Sequence, residues 1–99
     1  MLHTVNKSPF NHDTLNSCLK CVQLGSAVLL IEDGVYAARE GTKVSNDIKT
    51  AMKKIKIYAL APDLDARGVN ENLIEGIEQI DYAGFVNLTT QHDTVQSWL

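Results

Sequence analysis

Ala27-Val28-Leu29-Leu30-Ile31 is the longest purely apolar run in the chain, and it stops abruptly at Glu32-Asp33-Gly34. The run falls far below the roughly 18 residues that cross a bilayer, and the branched Val28 and Ile31 favour extended backbone. An unbroken short run of this kind predicts a strand covered on both faces, as in a parallel sheet held between helices. Upstream, Leu2-His3-Thr4-Val5 predicts a first strand that ends at the turn signal Lys7-Ser8-Pro9. Between the two, Leu15, Cys18, Leu19 and Val22 recur at i, i+3, i+4 and i+7, one apolar helical stripe. Asn11 or Asp13 can cap that helix, and Gly25 supplies a left-handed stop.

Downstream, Val35 to Arg39 suggests a short helix ended by Gly41, and Asp47 with Ile48, Ala51 and Met52 a further helix or turn. Ile55 to Leu60 reads as a third strand stopped by Pro62, followed by a helical turn over Asp63 to Arg67 closed by Gly68. Ile77 and Ile80 mark a short fourth strand, and Asp81 can cap a helix carrying Tyr82, Phe85, Val86 and Leu88. Thr94 to Leu99 has strand composition. Strands alternating with helices across long connections predict an α/β fold. The expected form is a small doubly wound parallel sheet of four to five strands, with helices on both faces, in one domain over residues 1–99.

The 99 residues are 44% hydrophobic and 21% charged, which excludes disorder, collagen and coiled coil. The first residues lack a long hydrophobic segment, so the expectation is a soluble cytoplasmic chain with neither signal peptide nor membrane contact. A net charge of −3 gives no basis for direct nucleic-acid binding. Charge is nonetheless uneven: Lys43, Lys49, Lys53, Lys54 and Lys56 cluster, whereas only Arg67 is basic after them. That cluster is either a solvated helix face or a docking surface for an acidic partner.

Open parallel sheets bind ligands beyond the carboxyl ends of their strands. Those ends carry no G-x-G-x-x-G, Walker or G-x-S-x-G sequence, so no nucleotide or other cofactor is expected. Asp33 and Asp63 are positioned either for acid–base work or as helix caps. His3, His12 and His92 are scattered and two cysteines cannot close a zinc site, so no metal is expected. Cys18 and Cys21 form a C-x-x-C inside the first helix rather than at its start, a weak redox arrangement. Spacing puts Cys18 at the edge of the apolar stripe, as a small buried side chain, and Cys21 nearer solvent. Trp98 either packs back on its own sheet or anchors an interface.

Several blocks together resemble the DsrH/TusB family. They are His3-Thr4-Val5-Asn6-Lys7-Ser8-Pro9-Phe10, Leu29-Leu30-Ile31-Glu32-Asp33-Gly34-Val35-Tyr36-Ala37-Ala38, and Tyr58-Ala59-Leu60-Ala61-Pro62-Asp63-Leu64-Asp65-Ala66-Arg67-Gly68. Asp81-Tyr82-Ala83-Gly84-Phe85-Val86 and His92 to Leu99 extend the likeness over essentially the whole chain. The segment Leu15 to Lys20, with its cysteine, looks nearer to DsrH than to TusB.

The resemblance implies a subunit of a three-component sulfur-relay complex, DsrEFH or TusBCD. Two homologous partners, DsrE/TusD-like and DsrF/TusC-like, would join this chain in a heterohexamer. Such complexes pass persulfide sulfur toward a DsrC/TusE-like acceptor, in sulfur oxidation or in 2-thiolation of the tRNA wobble uridine. The principal sulfur-carrying cysteine of these complexes belongs to the DsrE/TusD-like partner, after its third strand. The matching segment here, Ala61-Pro62-Asp63-Leu64, has no thiol. Cys18 is therefore the one candidate persulfide site that the resemblance leaves in this chain.

Overall fold

The apolar run becomes the middle of the molecule. In the computed structural model, which describes residues 1–99, five strands form one parallel sheet in the order β4-β3-β2-β1-β5. They are β1 (Leu2–Val5), β2 (Ala27–Leu30), β3 (Lys56–Leu60), β4 (Glu78–Ile80) and β5 (Val95–Trp98). Helices α1 (Thr14–Cys21), α2 (Ser45–Ala51), α3 (Ala61–Ala66) and α4 (Tyr82–Gln91) connect them, with a 3-10 segment at Glu32–Ala38. β2 pairs with β1 from Ala27 opposite Leu2 to Leu30 opposite Val5, and with β3 on its other side. All four of its residues are buried, as a strand covered on both faces requires.

Strand pleating divides the core. Val5, Val28, Leu30, Ile57 and Ala59 point to one face and pack with Leu15 and Cys18 of α1, Ile48 of α2 and Leu64 of α3. Leu2, Ala27 and Leu29 point the other way and meet Leu88 of α4, with Tyr58, Ile80 and Phe85 partly buried around them. The sheet is thus doubly wound but unequally so. The chain steps from β1 to β4 with its connections on one face, then returns to β5 under α4 on the other. Reversing both direction and face preserves the crossover hand, as parallel connections demand.

Three local expectations need correction. Gly25 has a left-handed φ of +90°, but it lies in the turn before β2 and does not close α1. The helix ends earlier because Val22 leaves it in an extended conformation and turns its side chain into the core. β3 does stop ahead of Pro62, at Leu60, but the helical turn expected from Asp63 begins at Ala61 and so takes in Pro62. The proline sits in the first turn of α3, where its missing N–H costs nothing. The segment expected as a helix from Val35 begins at Glu32 and is 3-10 throughout.

The two capping aspartates behave differently. Asp13 occupies the cap of α1 without a side-chain bond, whereas Asp81 Oδ1 accepts from the Gly84 N–H at 2.8 Å. Asp81→Ala should therefore cost about 1 kcal/mol in urea denaturation, and Asp13→Ala much less.

Candidate functional site at the carboxyl edge of the sheet

The carboxyl ends of β1, β2 and β3 are drawn together by backbone contact. The Ile31 N–H donates to the Val5 carbonyl at 3.0 Å, and the Gly34 N–H returns to the Ile31 carbonyl at 2.8 Å. A Cβ on Gly34 would fall 2.1 Å from the Val5 oxygen, so only glycine lets the 3-10 segment pass this close to β1. Glu32 takes a left-handed φ of +49° at the turn. Its N–H donates to Asp63 Oδ2 at 2.7 Å, which ties the end of β2 to α3.

One residue further on, Arg67 Nε donates to Asp33 Oδ1 at 2.8 Å. That bond raises the guanidinium pKa, and the neighbouring Asp63 charge adds to the effect. Both carboxylates that were candidates for acid–base work are thus occupied in a clamp between the 3-10 segment and α3. Neither caps its own helix. Asn6, at the end of β1, buries its Oδ1 without a hydrogen-bond partner. The Asp33–Arg67 pair spans 34 positions, and no local spacing rule could have found it; the only signal was a lone base facing an acid-rich region.

The two main grooves lie away from this edge. One of about 380 Å³ lies between α1 and α2, lined by Asn16, Leu19, Lys20, Asp47, Thr50 and Lys54 among others. A smaller one of about 200 Å³ runs beneath α4 along β4. Within the lysine cluster, Lys49 pairs with Glu40 at 2.7 Å and Lys56 with Glu78 at 3.8 Å, while Lys43, Lys53 and Lys54 stand in solvent. No three His, Cys, Asp or Glu side chains gather as a metal site would require.

The cysteines are far from equivalent. Cys18 is 0% exposed, facing the sheet beside Leu15 and Val28. Burial, with a lesser contribution from nearby Cys21, pushes its thiol up to about 12. At neutral pH it is a small apolar side chain with almost no thiolate. Cys21, one turn on, is exposed and free. Trp98 is partly buried against the main core, and its indole N–H bonds His3.

Comparison with known proteins agrees with this architecture. A family model described as "DsrH like protein" matches residues 7–95. Protein TusB of Shigella flexneri is 39% identical over 98 residues, covering 99% of this chain and all of the relative. Protein TusB of Pectobacterium parmentieri is 37% identical over the same extent. The ychN protein from E. coli has the same fold, with a TM-score of 0.80 at 19% identity over 97% of both chains. No helix here is long and apolar enough to cross a membrane. With the clamp residues of the 3-10 segment and α3 inside the matched region, and relatives aligned end to end, the chain belongs to the DsrH/TusB family.

Proposed function

We propose that this single-domain chain is a non-principal subunit of a cytoplasmic sulfur-relay complex. It assembles with TusC-like and TusD-like chains, and the output is 2-thiolation of the tRNA wobble uridine. The observation that carries this reading is the segment after β3. The resemblance puts the reactive cysteine of the principal subunit there, and this chain has Asp63 engaged with the Glu32 N–H. Persulfide transfer needs an accessible thiolate. With burial pushing its thiol up to about 12, Cys18 carries almost no thiolate at neutral pH. Cys18 therefore serves packing, and the complex draws its chemistry from a partner. Identities of 37–39% to chains named TusB favour tRNA thiolation over sulfur oxidation as the output.

Coexpression with the two sister chains should give one particle by light scattering, and that particle should transfer sulfur from a persulfide donor to a TusE-like acceptor. Cys18→Ala should leave the rate unaltered. Iodoacetamide should label only Cys21 until urea unfolds the chain. Full transfer by the isolated chain would overturn the proposal, as would loss of transfer in an assembled Cys18→Ala complex.

A further inference from the structure

β5 is an edge strand of the sheet, paired on one side only. Val95, Gln96 and Ser97 are exposed, and only Trp98 turns partly into the core. Backbone pairing to β1 holds the strand, from Leu2 opposite Val95 to Val5 opposite Trp98. Two side-chain bonds supplement it. Thr4 Oγ1 reaches Ser97 Oγ at a long 3.4 Å, whereas Trp98 Nε1 donates to His3 Nδ1 at 3.0 Å. The two rings lie 6.2 Å apart and tilted by 40°. His3 itself is 4% exposed.

An indole N–H donates and cannot accept. The bond therefore exists only while His3 Nδ1 keeps its lone pair, so the ring is neutral with its proton on Nε2. We propose that the His3–Trp98 bond is a pH-sensitive latch on β5. Protonation of Nδ1 sets donor against donor and frees the strand, while β1 to β4 stay folded.

The surroundings offer the protonated ring no compensation. On β2 its register neighbour is Val28, and on β5 the neighbours are Gln96 and Trp98. From α1, the side chains turned to this face are Leu15 and Cys18, with Val22 just beyond the helix; none is anionic at neutral pH. The charge that does act on the ring is the N-terminal ammonium of Met1. Burial first, and that ammonium second, hold the imidazole below its ordinary 6.5. For a group depressed in the folded state, the stabilisation is full above 6.5 and fades as pH falls through the folded value. The latch is shut at neutral pH and opens in acid.

Hydrogen exchange by NMR on the full chain tests this, with protection factors corrected for the pH dependence of intrinsic exchange. Between pH 7.5 and pH 5, the Trp98 indole N–H and the β5 amides should lose protection, in the direction set by the lowered imidazole pKa. Amides of β2 and β3 should keep theirs. His3→Asn places a non-titrating oxygen at the Nδ1 position and should abolish the drop. Trp98→Phe, which lacks the donor, should leave the β5 amides poorly protected at both pH values. The proposal fails if wild-type β5 protection is unchanged, if β2 and β3 open in the same step, or if either variant retains the wild-type drop.

Discussion

Alanine at position 34 should destabilise the chain by about 3 kcal/mol or more, because overpacked sites cost about 1–3 kcal/mol and occasionally more. The added Cβ would meet the Val5 carbonyl oxygen at 2.1 Å and its carbon at 3.0 Å. That obstacle is backbone, and it cannot swing aside as a side chain would. The same carbonyl accepts the Ile31 N–H, and β1 is flanked by β2 and β5. Relief therefore requires displacing either an inner strand or the whole 3-10 segment. Against a total stability of about 5–15 kcal/mol, such a loss lowers the melting temperature by roughly 15 °C for a domain of this size. Gly41→Ala is the matched control. Its φ of +82° disfavours alanine, but nothing lies within 4 Å, so the cost is about 1 kcal/mol. Thermal melts of the two variants should differ clearly; equal melts would contradict the close approach at Gly34.

Leu64→Ala should lose about 2–5 kcal/mol, the range for emptying a fully packed leucine site. Leu64 is the one buried side chain of the six-residue α3, and it is 0% exposed. No other residue anchors that helix as deeply. The consequence reaches the carboxyl edge, since Asp63 and Arg67 flank Leu64 and hold the 3-10 segment. Asp63→Ala alone should cost roughly 1 kcal/mol, because its bond to the Glu32 N–H is open to water. Apolar burial therefore places this loop, and the polar clamp fixes its final orientation. Urea midpoints measure the difference. In the coexpressed complex, Leu64→Ala should also lower recovery of the assembled particle more than Asp63→Ala does.

The layer order of this fold was legible because its signals are local. The unbroken run at Ala27 to Ile31 announced a strand buried on both sides, and the stripe through Leu15, Cys18 and Val22 announced the face that α1 presents to it. Burial of Cys18 follows from that spacing alone. What escaped the sequence depends on contacts across the chain. Nothing near Asp63 reveals that its acceptor would be used by Glu32, 31 positions earlier. The path of Val22 into the core, which ends α1 ahead of Gly25, is likewise decided by tertiary packing. The start of α3 was misplaced for a different reason: proline ends a strand and opens a helix equally well, and here β3 passes into α3 with no loop between them.

The brevity of the two outermost strands has a bearing on how the chain behaves when crowded. β4 offers three residues and β5 four, most of them polar and open to water. Lys56 and Glu78 add charge at the β4 margin. Long, flat, greasy margins recruit further strands and seed fibrils; these are short and polar. The guard is uneven, since detachment of β5 uncovers the buried β1 strand Leu2–Val5. Acidic storage is then the condition under which amyloid-type stacking gains its template.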